Sequence, residues 1–145
     1  MLVSKLDERA TIPTRHHFDD AGYDLYALDN FALFGTGSEY HGPVSVRTGV
    51  AVSVPQGYVA LVHPRSGLAA KYGITVLNAP GTIDAGYHGE VKVILIKHSP
   101  GLFIGQAGDR IAQLVIQKIE LPILTEVGKL PETLRGESGL GSSGR

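Results

Sequence analysis

The feature that most constrains this chain is an alternation. In residues 46–54, Val-Arg-Thr-Gly-Val-Ala-Val-Ser-Val, one face collects Val46, Thr48, Val50, Val52 and Val54 and the other Arg47, Gly49, Ala51 and Ser53. Successive side chains of an extended chain point to opposite sides, so a period of two predicts a half-buried β-strand here. Pro55, Gln56 and Gly57 then turn the chain, and residues 58–63, Tyr-Val-Ala-Leu-Val-His, read as the next strand. Residues 90–98 and 109–119 are further β-rich runs, each after a turn containing Gly. The best helix candidate is short, residues 67–73, bracketed by Gly67 and Gly73. Nineteen Gly and eight Pro against one Met and no Trp point to many turns and short elements. The expectation is an all-β sandwich or barrel.

At 145 residues the chain is most simply one domain, long enough to bury roughly two-thirds of the surface that its unfolded form exposes. The one shift in composition comes after Pro131, which divides the chain into a folded domain, 1–131, and a tail, 132–145, too rich in Gly and Ser to pack and expected to be mobile when unoccupied. With no Cys there is neither a disulfide framework nor a thiolate metal site, in keeping with a reducing compartment. A formal net charge of −1 gives no basic field for nucleic acid or an acidic membrane, so any polyanion must be held by a few local charges. Nowhere do ~18 apolar residues run in succession, and the first residues carry no apolar stretch of signal-peptide length. The expectation is a soluble cytoplasmic protein.

Several short stretches hold groups suited to phosphate chemistry. Arg65 and Ser66 stand directly before Gly67 and the helix candidate: a guanidinium, a hydroxyl and free amides are three kinds of donor for phosphate oxygens. The plainer reading is an N-cap Ser beside a surface Arg. Between residues 78 and 93, Pro80, Gly81, Gly86 and Gly89 punctuate the backbone and hold Asp84, Tyr87, Glu90 and Lys92 among apolar strand residues. An ionised carboxylate fixed near bound phosphates can take a proton from water. Asp84 can equally be a turn residue capping its own backbone, and Tyr87 an ordinary strand aromatic.

Asp24 lies in a period-two stretch, and an inward carboxylate needs a partner, either an Arg or a metal reached through water. Mg²⁺ suits the second case, because it keeps several waters and binds substrate phosphates with little direct protein ligation. Asp109, Arg110 and Gln113 are polar groups at a strand entrance, where the plain reading is a turn Asp beside a satisfied Arg. His16 and His17, with Asp19 and Asp20 nearby, form no convincing metal site, because adjacent residues of an extended segment point to opposite sides.

The tail, residues 135–145, contains Gly139, Gly141 and Gly144 in a G-x-G-x-x-G pattern. A dinucleotide-binding turn of that form lies between a strand and a helix, with an acidic residue ~20 positions later. Here only Arg145 follows Gly144, so that reading fails on context. What survives is either a loose end or an arm that wraps something anionic through Arg135 and backbone amides.

Taken in order, residues 21–27 (AGYDLYA), 64–73 (PRSGLAAKYG), 78–93 (NAPGTIDAGYHGEVKV), 108–114 (GDRIAQL) and 135–144 (RGESGLGSSG) resemble the five motifs of the trimeric deoxyuridine triphosphate nucleotidohydrolases. The wording is similar to that of actinobacterial and phage members. The resemblance implies a jelly-roll β-barrel subunit with a C-terminal arm and a homotrimer with sites at subunit interfaces. The implied reaction converts dUTP to dUMP and pyrophosphate, keeping uracil out of DNA and supplying dUMP for thymidylate synthesis. By the same resemblance Asp84 activates the attacking water, Asn78 reads the uracil edge, and Tyr87 packs under the deoxyribose. Thr82 and Ile83 lead to the base, and Lys92 stands near the substrate. Arg65, Ser66 and Gly67 of a neighbouring subunit contact phosphate, with Gln113 a further contact. Asp24 meets the hydration shell of a Mg²⁺ held by the phosphates, with no direct protein ligand. Arg135, Leu140, Gly141 and Ser142 belong to an arm that closes over the nucleotide.

Two positions depart from the pattern. Leu140 stands where the arm usually carries an aromatic, and base stacking on an aromatic contributes ~1–3 kcal/mol, so weaker closure is expected. His88 stands where Arg is usual, with an altered subunit contact or salt bridge as the expected consequence. The same fold serves dCTP deaminases, and some phage relatives act by docking a protein partner. The catalytic set of this chain favours hydrolysis over both.

Overall fold

The computed structural model describes residues 1–133 and residue 136. It contains ten strands and one short helix among the described residues. They are β1 (Leu2–Lys5), β2 (Gly22–Tyr26), β3 (Phe31–Phe34), β4 (Val44–Ser53), β5 (Tyr58–His63), α1 (Ser66–Tyr72), β6 (Ile74–Val76), β7 (Gly81–Ile83), β8 (Glu90–Lys97), β9 (Leu102–Gly105) and β10 (Arg110–Lys118). Antiparallel pairing gives two four-stranded sheets, β1-β4-β8-β6 and β2-β10-β5-β7, and a two-stranded ribbon, β3-β9. The expected all-β fold with one short helix is what forms. Its strands make separate sheets around one core, and among the described residues no ladder closes them into a ring.

Both large sheets contribute to that core: Leu25, Val62 and Leu114 come from one, and Val50, Val93 and Leu95 from the other, while Leu33 of β3 closes it. Burying side chains of this size contributes ~1.5–3 kcal/mol each relative to leaving them in water. The alternation read in residues 46–54 is realised on its apolar face, where Val46, Thr48, Val50, Val52 and Val54 are all buried. The buried Thr48 hydroxyl donates to the carbonyl oxygen of Val91 at 2.5 Å, so no orphaned polar group results.

The opposite face departs from the simple alternation. Arg47 pairs with Lys92 and Ala51 with Glu90, so Thr48, Gly49 and Val50 together oppose the single residue Val91. Because the excess is two residues, the side chains beyond the irregularity stay in phase with those before it. Gly49 makes the excursion possible with a φ of +68°, and a Cβ there would lie 2.9 Å from the Ala10 Cβ. The carboxylate of Glu90 accepts the Gly49 amide at 3.0 Å and replaces the missing ladder bond.

The helix begins one residue before the predicted start. Arg65 is its N-cap, extended and without a side-chain capping bond, and Ser66 is the first helical residue, so Ser66 is not the cap that the plainer sequence reading gave it. No residue of α1 is buried. Among the described residues no helix is long and apolar enough to cross a membrane. After β10, residues 119–133 form no regular structure and expose Leu121, Ile123, Leu124 and Leu130.

Gly49→Ala is expected to lower stability by ~1–3 kcal/mol, because the substitution meets both a left-handed backbone and the Ala10 side chain. Urea denaturation checks this, and an unshifted midpoint would show that the excursion tolerates a Cβ.

Candidate active site

The sequence-derived residues fall into two groups. The first lines a cavity of about 410 Å³ beside β7, where Asn78, Thr82, Ile83, Asp84, Tyr87, Glu90 and Lys92 surround a floor that includes Val62, Val76 and Val91. The chain enters β7 through a cis Ala79–Pro80 bond. Gly81 follows, and a Cβ at this position would stand 3.2 Å from the Asn78 side-chain nitrogen, so the bare backbone leaves the carboxamide its place. A side chain that reads the polar edge of a ligand needs that kind of fixed position, since unpaired polar groups are what reject the wrong partner.

Asp84 follows β7 and opens a turn closed by its own main chain, with the Tyr87 amide donating to the Asp84 carbonyl oxygen at 3.0 Å. The backbone thus does what the turn reading assigned to the side chain. The carboxylate is exposed and accepts no hydrogen bond among the described residues. The Tyr87 ring lies against Gly89, where a Cβ would come within 2.6 Å of the ring carbon Cζ, and its hydroxyl donates to the Glu90 carbonyl oxygen at 3.1 Å. Tyr87 is therefore a positioned wall and not a strand aromatic.

Charges behind this wall form a chain. Arg47 donates to Glu90 at 3.1 Å and lies 3.8 Å from Asp29, which also accepts from Arg9 at 2.9 Å. Lys92 Nζ stands 4.0 Å from the Glu90 carboxylate, at the cavity rim. Hydrogen bonds from Arg9 hold the Asp7 carboxyl below its ordinary range. Arg47 entered the sequence reading only as one residue of a strand face, because its partner Glu90 is 43 residues away and no local pattern links them.

The second group surrounds Asp24. Its carboxylate is 6% exposed and shared by two guanidinium groups, with Arg65 Nε donating to Oδ1 at 3.1 Å and Arg110 Nη1 to Oδ2 at 3.2 Å. Arg65 also donates to the Arg110 carbonyl oxygen at 3.1 Å. The partner required by the inward carboxylate is thus a pair of Arg residues. Two cations on one anion leave a local positive charge, which suits phosphate oxygens. Gln113 stands directly opposite Asp24 on one side and His63 on the other, and the three share one face of the sheet. Gly22 lies under Gln113, since a Cβ there would come within 3.2 Å of the Gln113 Cβ.

The two groups do not meet within one chain. Arg65 and Arg110 border a separate hollow of about 380 Å³ with Leu68, Tyr72, Phe103 and Asp109, and it shares no lining residue with the cavity holding Asp84. Ser66 and Gly67 are exposed beside Arg65. His88 faces neither, bordering instead an apolar hollow with Leu2, Val3 and Leu6. Among the described residues no three His, Cys, Asp or Glu side chains converge as a metal cage. Asp20, near His16 and His17, instead accepts the His17 amide at 2.8 Å, which holds its carboxyl below the usual range. Arg135, Leu140, Gly141 and Ser142 lie outside the described residues.

Comparison with known proteins matches this geometry to a family. The chain is 52% identical over 143 residues to a protein of Nocardia farcinica named deoxyuridine 5'-triphosphate nucleotidohydrolase, covering 98% of this chain and 84% of that one. Its fold superposes on a dUTPase of Staphylococcus bacteriophage 80alpha, solved with dUPNHPP, with a TM-score of 0.87 at 32% identity, covering 99% of this chain and 98% of that one. A mutant dUTPase from phage phi11 of S. aureus, described with a coordinated structural Mg(II) ion, gives a TM-score of 0.78 at 30% identity, covering 88% and 96%. The family model dUTPase matches residues 8–144, which include both the Asp84 cavity and the paired guanidinium groups on Asp24: the chain belongs to the dUTPase family.

Proposed function

We propose that the chain hydrolyses dUTP to dUMP and pyrophosphate, in a homotrimer whose sites form between subunits. The observation that carries this reading is the exposed Asp84 carboxylate, without a hydrogen-bond partner among the described residues, at a cavity of about 410 Å³ shared with Asn78 and Tyr87. That volume falls within the ~300–1,000 Å³ of small-molecule sites. The Asn78 carboxamide hydrogen-bonds the polar edge of uracil, with Thr82 and Ile83 alongside. The Tyr87 ring, propped on Gly89, leaves no room for a 2′-hydroxyl. Asp84 takes a proton from a water whose oxygen bonds to the α-phosphorus, and the bond from that phosphorus to the bridging oxygen breaks with pyrophosphate leaving.

Phosphate binding falls to the second group. Arg65, Ser66, Gly67 and Gln113 of a neighbouring subunit supply the donors, which explains why they stand apart from Asp84 in one chain. Lys92 adds a charge at the rim. Apolar Leu121, Ile123, Leu124 and Leu130, uncovered in a single copy, are the kind of surface that a subunit contact buries.

Asp24 suits the outer part of a Mg²⁺ site. Its carboxylate offers about four acceptor positions and Arg65 and Arg110 use two, which leaves room for a water of the ion's hydration shell. The excess positive charge around it disfavours direct ligation and favours an ion carried by the triphosphate. When bound, that ion supplies charge neutralisation at the phosphates. Residues 132–145 complete the reading as an arm that closes over the nucleotide, with Arg135, Gly141 and Ser142 on the phosphates and Leu140 over the base.

A hydrolysis panel tests the proposal. Pyrophosphate from dUTP, with little from dCTP, dTTP or UTP, is the expected result, whereas ammonia from dCTP would identify a deaminase instead. Asp84→Asn should lower kcat by roughly 10²–10⁴-fold while dUTP binding changes little, and retained turnover would remove Asp84 as the base. Gly89→Ala, which displaces the Tyr87 ring, should narrow the preference for dUTP over UTP, measured as a ratio of kcat/KM values. Removing residues 132–145 should lower turnover while light scattering still gives a mass about three times that of the shortened chain.

A further inference from the structure

The helix that presents Arg65, Ser66 and Gly67 has an unusual foundation. Seven residues is short for a helix, and none of those in α1 is fully buried: half-buried Leu68 packs against the core that holds the strands, and the helix gains little else from it. It is held at its two ends. At the start, Arg65 is fixed by Asp24 and the Arg110 carbonyl oxygen. At the other end stands an ammonium group that the proposed chemistry does not use.

Lys97 closes β8 and is 5% exposed, an uncommon position for a Lys. It has no carboxylate partner among the described residues. Its Nζ donates to the carbonyl oxygens of Ser99 and Pro100, each at 2.8 Å, and to the Ser99 hydroxyl. These three acceptors match its three N–H donors. The Ser99 hydroxyl in turn donates at 2.5 Å to the carbonyl oxygen of Tyr72, the last residue of α1. The His98 amide donates to the Gly73 carbonyl oxygen at 2.8 Å, and Gly73 ends the helix with a φ of +62°. A Cβ on Gly73 would come within 2.9 Å of Ser99, so the 98–100 turn and the helix end are in direct contact. A cation behind the last carbonyls of a helix is also favourably placed against its dipole.

We infer that Lys97 is a positioning residue for substrate binding: through Ser99 and Tyr72 it anchors the far end of α1, and so holds Arg65, Ser66 and Gly67 in place for the phosphates. The inference rests on the assignment of those three residues to phosphate contact. Contacts of this kind are made to substrate and transition state alike, so loosening them raises KM and leaves kcat largely unchanged.

The test compares Lys97→Met and Ser99→Ala with the unaltered chain, by steady-state dUTP hydrolysis and by amide hydrogen exchange. Lys97→Met is expected to raise KM about tenfold with kcat within about twofold, and Ser99→Ala to shift KM in the same direction by less. Amides of residues 66–73 should exchange roughly ten times faster in Lys97→Met while those of β4 and β10 keep their protection. If Lys97→Met does not fold, Ser99→Ala alone decides by the same two readouts. An unchanged KM in a folded variant, or exchange accelerated throughout the sheets, would overturn the inference and leave Lys97 a general stability residue. Hydrogen exchange reads the anchoring whatever the substrate is. Faster exchange confined to 66–73 in a chain inactive on dUTP would therefore refute the proposed activity and leave the anchoring standing.

Discussion

The carboxylate of Asp24 is the point on which the half of the molecule that carries Arg65 and Arg110 depends. It is nearly buried, and a lone charge in that position would be strongly disfavoured. Arg65 from the β5–α1 junction and Arg110 from the first position of β10 each take one of its oxygens. One side chain of β2 therefore sets where α1 begins and how β10 enters the sheet. Arg65 spans the cluster, bonded to Asp24 and to the backbone beside Arg110. Such a cluster orients more than it stabilises, because desolvation offsets much of the attraction between buried charges. Its net positive charge is what fits it to the phosphate contact proposed for it.

The half proposed to face the base is built on a different principle. Around Asp84 the geometry comes from backbone and from absent side chains: Gly81 makes room for Asn78, Gly89 for the Tyr87 ring, and the turn at Asp84 is closed by main-chain atoms. The carboxylate is thereby left free of partners among the described residues. A group that must accept a proton from water needs its lone pairs available, and a side chain used for turn capping would not have them. Behind the wall, Glu90 serves both parts, its carboxylate replacing a ladder bond to the excursion in β4 and its carbonyl oxygen fixing Tyr87.

Much of the strand layout was legible because it is a local property. Alternation over residues 46–54 follows from which side chains avoid water, and it survived intact on the buried face. The excursion at Gly49 was not legible, since three residues opposing one depends on the partner strand. The helix was located within one residue, yet Ser66 took the first helical position in place of the cap, because the Arg65 side chain is drawn to Asp24. The candidate site, as far as the described residues carry it, was marked out in the sequence by its ordered motifs. Its division into two separate hollows was not, nor were the contributions of Arg47 and Lys97.

The sequence by itself determined that this chain makes short antiparallel strands broken by Gly and Pro turns, and that Asp24 needs an opposite charge or a metal. Both follow from side-chain periodicity and from the free energy of burying a carboxylate, which any local stretch carries with it. Only the tertiary structure decided which charges meet. Arg65 lies 41 residues from Asp24 and Arg110 lies 86, and their convergence is set by the registers of β2 and β5 on β10. Pairing across a sheet is a relation between distant segments, and a shift of one residue would have turned Asp24 and Gln113 to opposite faces.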